Sequence, residues 1–126
     1  MNDNPIEAVN LEQKLSLFQD QWSPKVIAAL NGQWVKLAKV QGEFVWHSHE
    51  HEDELFLVVS GELTLRFRDR EVNLREGELC VVPRGVEHQP YAEQEAHILL
   101  FEPATTAHTG SEITDRTVAT DDQSWI

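Results

Sequence analysis

Between residues 25 and 101, apolar and polar positions alternate in short runs separated by turn formers. Trp34, Lys36, Ala38 and Val40 alternate with Val35, Leu37 and Lys39 over residues 33–40, and Leu63, Leu65 and Phe67 alternate with Thr64, Arg66 and Arg68 over 62–68. A two-residue period puts successive side chains on opposite faces of a strand. Further strand-like runs cover 25–30, 43–49, 54–59, 71–74, 79–82, 87–91 and 96–101. Asn31-Gly32, Gln41-Gly42, Ser60-Gly61, Asp69-Arg70, Arg75-Glu76-Gly77 and Pro83 to Gly85 break them. Asn-Gly is a strong signal for a tight hairpin. Strands at this spacing, with no helix-length segment between them, predict an all-β sandwich or barrel and argue against a βαβ fold.

The ends differ from this middle. Leu11, Leu15, Phe18 and Trp22 recur at helical spacing and predict a helix within residues 6–22, capped by Asn10 and ended before Pro24. Beyond Pro103 the chain turns small and polar, then closes on the apolar pair Trp125-Ile126. That pair is expected to pack back on the barrel or on a second subunit. The chain therefore divides into an arm (1–24), a barrel (25–103) and a tail (104–126).

Charge narrows the partners. A formal net charge of −12 over 126 residues repels phosphate backbones and anionic membrane surfaces, so neither nucleic acid nor membrane is expected as a partner. The single cysteine, Cys80, excludes an intrachain disulfide and is expected in the core. The amino-terminal residues lack a signal-peptide pattern, and no apolar run has membrane-spanning length. A cytoplasmic, soluble protein is the expectation.

The candidate chemistry lies in residues 46–54, which hold His47, His49, His51 and Glu54. Imidazoles spaced by one residue project side by side from a strand, and imidazole with carboxylate suits a divalent first-row metal. The Pro83-Arg84-Gly85 turn re-aims the chain ahead of His88, a candidate third imidazole. Two readings stand side by side: a metal site of three histidines and one carboxylate with positions open to water or substrate, or a solvated acidic loop. The remaining candidates have plainer roles. His97 shares a face with Leu99 and Phe101, and His108 lies in the irregular tail. Trp34 and Trp46 suit a barrel wall or a pocket. Arg66, Arg68 and Arg84 could hold an anion, although solvated strand charges are commoner.

Two motifs decide between the readings. Gly42, His47-Ser48-His49, Glu54 and Gly61 follow the first cupin motif, with four residues instead of five between Gly42 and His47. Gly77, Pro83-Arg84-Gly85 and His88 follow the second, with Ala92 where the motif ends in Asn, a position that is not a metal ligand. The chain thus resembles the cupin superfamily. The resemblance implies a jelly-roll β-barrel whose mouth receives the ligands His47, His49, Glu54 and His88. It implies one divalent ion (Fe, Mn, Ni or Zn) and a small-molecule substrate for a dioxygenase, isomerase or lyase. A metal-dependent binding or sensing module without turnover is the alternative, and a metal-stabilised protein without turnover is a third. His51 falls outside the motif, in the turn between the histidine pair and Glu54. His51 and Gln89 are the candidates for proton transfer, with His97 behind them. Small cupins pair through a sheet face, so a homodimer is expected.

Overall fold

The computed structural model describes residues 6–105 and 124–126. In chain order its elements are α1 (Leu11–Leu15), β1 (Lys25–Leu30), β2 (Gln33–Glu43), β3 (Glu54–Ser60), β4 (Leu63–Arg66), β5 (Glu71–Leu74), β6 (Leu79–Val82) and β7 (Gln89–Pro103). The strands form one antiparallel sheet in the order β1-β2-β7-β3-β6, and β4 joins β7 to β5. This is the jelly-roll β fold that the strand pattern and motifs predict.

Local chemistry explains the first hairpin. Asn31 and Gly32 both have positive φ, 51° and 75°, as a two-residue turn between twisted antiparallel strands requires. β2 does not close at Gln41-Gly42. It runs on to Glu43 through a register shift between Val40 and Gly42.

The long strand β7 organises the molecule. The sequence reads as two strands, 87–91 and 96–101, because exposed Glu93, Gln94 and Glu95 interrupt the apolar pattern. The backbone continues through them as one strand of 15 residues. Its later half lies between β2 and β3, where Leu99 pairs with Leu37 on one side and Leu57 on the other. Its first residues lie between β2 and β4, where Tyr91 pairs with Glu43 and Thr64.

Two apolar clusters hold the sheet. The interior contains Ala38, Val40, Phe56, Leu65, Ile98 and Leu100 among others. The outer cluster packs Leu15 and Phe18 of the arm on Ile27 and Leu37. β2 is therefore buried on both faces from Lys36 to Val40.

The helix is much shorter than its periodicity predicts. Asn10 does cap it, its Oδ1 accepting from the Gln13 amide at 2.8 Å. It stops at Leu15, where the Ser16 hydroxyl donates back to the Gln13 carbonyl. Beyond it the backbone bonds to the sheet: Lys39 Nζ donates to the Phe18 carbonyl and the Trp22 amide to the Lys39 carbonyl. Tertiary partners replace the weak internal bonds of a short helix. Trp22 ends this segment with φ 58° and stacks on Phe44 at 4.5 Å.

Residues 106–123 of the tail, His108 included, lie outside the described residues. Ser124 to Ile126 lie along β1: the Val26 amide donates to the Ser124 carbonyl and the Ile126 amide to the Val26 carbonyl. Ile126 packs on the outer cluster, and Trp125 meets Trp34 edge-on. Cys80 is half-buried against the interior instead of fully enclosed, because edge strand β6 turns Leu79 and Val81 to solvent and inserts Val82.

Candidate metal centre

After Glu43 the chain leaves regular pairing but stays tied to β7 and the turn before it. The His47 amide donates to the His88 carbonyl at 3.0 Å, and the His88 amide returns a bond to the His47 carbonyl at 2.9 Å. This isolated antiparallel bridge sets the two imidazoles beside each other, with ring centroids 4.4 Å apart. The Gly85 amide donates to the His49 carbonyl. Asp53 accepts from the Arg84 amide at 2.8 Å and faces the Arg84 guanidinium, which pins the 50–53 turn to the Pro83 to Gly85 turn. Glu54 then opens β3 opposite Val82.

His47, His49, Glu54 and His88 are all buried, and each offers a ligand atom within 4.8 Å of the others. Nε2 of His49 and of His88 lies 3.1 and 3.5 Å from Glu54 Oε1, yet none of these three buried atoms has a hydrogen-bond partner among the described residues. Leaving buried polar atoms unsatisfied costs roughly 1–3 kcal/mol each, so such a convergence fits a cation-binding centre. The donor set suits a divalent first-row metal.

Two ring tautomers are fixed by the backbone. Nδ1 of His47 lies 2.9 Å from the Val45 carbonyl and Nδ1 of His88 lies 3.0 Å from that of Val86. A carbonyl only accepts, so each Nδ1 carries the hydrogen and each Nε2 keeps its lone pair for the centre. Burial, helped by the neighbouring His88, lowers the His47 pKa to about 4, so its ring is neutral near pH 7.

A buried ion pair lies behind Glu54. Glu102 is wholly buried and forms a 2.9 Å ion pair with Lys36, which is equally buried. Burial and the adjacent Glu54 charge raise the Glu102 pKa well above the carboxylate range. Burial pushes the Glu54 pKa up too, but the close approach of Glu102, His49 and His88 outweighs it and holds Glu54 well below the usual range.

The other candidates lie elsewhere. His51 is 82% exposed in its side chain, beside Glu50. Gln89 Nε2 donates to the Phe44 carbonyl and its Oε1 accepts from Arg66. His97 contacts Glu95 on the outer side of β7, because Ala96, Ile98 and Leu100 take the interior face. Arg66, Arg68 and Arg84 pair with Glu43, Glu87 and Asp53. Trp34 and Trp46 do not line the cavity described next; Trp46 carries the Arg68 guanidinium over its ring.

A narrow cavity reaches the centre. Trp22, Phe44, Phe56, Ala38 and Ile98 are among its walls, and among the described residues His47 and Glu54 are the polar ones that line it. Sequence reasoning missed three contributors here: Trp22, Lys36 and Glu102. Parity carried a signal for two of them. Lys36 alternates in step with interior Ala38 and Val40, and Glu102 with interior Ile98 and Leu100.

Comparison with known proteins identifies the family and the fold. The cupin domain model Cupin_2 matches residues 33–102, more than half of the chain. The chain is similar to a cupin-2 domain protein of Shewanella frigidimarina, with 49% identity, TM-score 0.75, and coverage of 75% of this chain and 93% of that one. It is 39% identical over 64 residues to YdbB of Bacillus subtilis (strain 168), which covers 50% of this chain and spans only 57% of that relative's length. At the level of fold, it is similar to hydroquinone 1,2-dioxygenase PnpCD in complex with Fe3+, with 22% identity, TM-score 0.69, and coverage of 79% of this chain and 33% of that one.

Proposed function

The chain belongs to the cupin family, and from that premise we propose that it is a mononuclear metal enzyme acting on a small molecule. His47, His49, Glu54 and His88 are the proposed ligands. The observation that carries the reading is the convergence of four buried ligand atoms, three of them without any hydrogen-bond partner. When bound, a divalent ion would polarise substrate oxygens, or with iron would also give access to oxygen chemistry. The Fe3+ complex of the fold-related hydroquinone dioxygenase supports iron as one candidate beside Mn, Ni and Zn.

This chain's own residues have separable tasks in that reading. Val45 and Val86 carbonyls hold His47 and His88 in the ligating tautomer. Glu102, backed by Lys36, orients Glu54. The apolar walls exclude water from the centre.

A second reading, a metal-dependent binding or sensing module without turnover, has one observation in its favour. His51, Gln89 and His97, the sequence candidates for proton transfer, do not line the cavity. Metal analysis of untagged protein tests the shared core of both readings: about one equivalent is expected, lost in His49→Ala and kept in His51→Ala. Full metal content in His49→Ala would overturn the ligand assignment. Consumption of O2 or of substrate by the metal-loaded protein would separate enzyme from binding module.

A further inference from the structure

The cavity beside His47 and Glu54 measures about 30 Å³. A buried water takes about 10–15 Å³ of such space, so the closed centre has room for about two waters and not for a carbon ring. A small molecule that reacts there needs a wall to move.

Most walls are fixed by the sheet. Ala38 and Val40 belong to β2, which lies between β1 and β7, and Ile98 and Leu100 belong to β7, which lies between β2 and β3. The Phe44 amide donates to the Pro90 carbonyl at 2.9 Å, and the His47–His88 bridge follows. Trp22 and Pro24 differ, because they come from the arm, which is neither helix nor strand there. Trp22 is half-buried, so its ring spans from the cavity to solvent. Its φ of 58° is a left-handed conformation that bulky residues rarely adopt, and contacts hold it there. The indole Nε1 donates to the Gln41 carbonyl at 2.9 Å, and the neighbouring Gln21 amide donates to Glu95 at 2.7 Å. Both bonds are exposed, where water competes for the same groups, so breaking them costs less than parting two paired strands.

A larger groove of about 440 Å³ lies at the open seam between β5 and β6, which do not pair with each other. Val72 and Cys80 are among its walls, but among the described residues no proposed metal ligand is. Phe67 also lines it, with its ring 6.4 Å from that of His88. A molecule seated there stays outside the centre.

We infer that Trp22 controls access to the centre: its indole, with the arm that carries it, leaves Phe44 to admit an organic ligand. The need for access rests on the metal reading above. The movement of Trp22 rests on the cavity and the arm.

Free imidazole, which ligates Co2+, is the probe. Stopped-flow mixing with Co2+-loaded protein follows the visible Co2+ bands. In the unaltered protein the rate is expected to level off as imidazole is raised, because opening limits it. Trp22→Ala is expected to raise the rate at least about tenfold while keeping Co2+ stoichiometry, and Phe67→Ala, at the seam, to leave it unchanged. Trp22→Phe, which loses the bond to Gln41, takes its place should Trp22→Ala fail to fold. A rate, or an absence of binding, that the Trp22 variant leaves unchanged overturns the inference, as does faster entry in Phe67→Ala. Failure to take up Co2+ would sink the metal reading instead. Hydrogen exchange on the metal-free protein then decides. The Trp22 amide, which donates to the Lys39 carbonyl, is expected to exchange at least about tenfold faster than the paired amides of β2 and β7. Exchange as slow as theirs counts against a moving arm.

Discussion

At the scale of single residues, the centre is defined by atoms that lack something. His49 Nε2, His88 Nε2 and Glu54 Oε1 are buried without partners, and His47 is held neutral by burial. The pKa of His47 has a consequence for the metal-free protein. Its ordinary value is 6.5 and its folded value is about 4. As pH falls below 6.5 the unfolded chain takes up a proton that the folded ring refuses, so stability falls between pH 6.5 and about 4. At 1.36 kcal/mol per unit the His47 contribution is on the order of 3 kcal/mol. Urea denaturation across this range should show the loss, and His47→Gln should flatten it. An equal slope in the variant would assign the loss to other groups. Behind the ligands, Lys36→Met leaves two buried carboxyl groups without their cation and should cost about 3–5 kcal/mol. Replacing the pair together, Lys36→Met with Glu102→Leu, should cost less than the single change, a sign of coupling that a double-mutant cycle measures.

At the scale of elements, close packing fixes which residues a turn tolerates. Gly61, between β3 and β4, has φ 85°, and a Cβ there would stand 3.2 Å from the Ala96 Cα and the Glu95 carbonyl on β7. Gly61→Ala therefore meets both a left-handed backbone and a neighbour that is itself backbone. A destabilisation of at least about 1 kcal/mol is expected, read as a lowered midpoint in thermal or urea unfolding. An unchanged midpoint would mean that β7 can retreat. The motif glycines were visible as turn residues, but only the fold explains why this one also needs the missing side chain. The arm carries the same lesson in reverse. Leu11, Leu15, Phe18 and Trp22 look like one helical face, yet Leu15 and Phe18 reach the outer cluster from either side of a helix end. Trp22 goes instead to the cavity wall. Periodicity reported burial correctly and the backbone wrongly.

At the scale of the whole molecule, the proposed ion links folding to binding. Ligands from the segment before β3, from β3 itself and from the turn before β7 meet only when the sheet closes, so an ion bound there stabilises the native state by mass action. Metal removal should lower the unfolding temperature, and the temperature should rise with free metal concentration. At about 100 times Kd the gain is about 2.7 kcal/mol. A midpoint that ignores metal would speak against a site formed by folding. His49→Ala should lose this dependence, while the exposed His51→Ala should keep it.

The sequence by itself determined the strand-rich architecture, the hairpin at Asn31-Gly32 and the four residues that the fold gathers. Each of these is written locally, in a two-residue alternation, in turn chemistry and in motif spacing. Only the tertiary structure decided the rest. It joined two apparent strands into β7, because pairing with β2 continues through exposed residues that carry no apolar signal. It put Lys36 and Glu102 behind Glu54, 66 residues apart in the chain but 2.9 Å apart in space, a pairing that depends on sheet register. His51 needed both levels: motif spacing puts it in the turn after His49, and the backbone there leaves the extended form, which exposes its side chain.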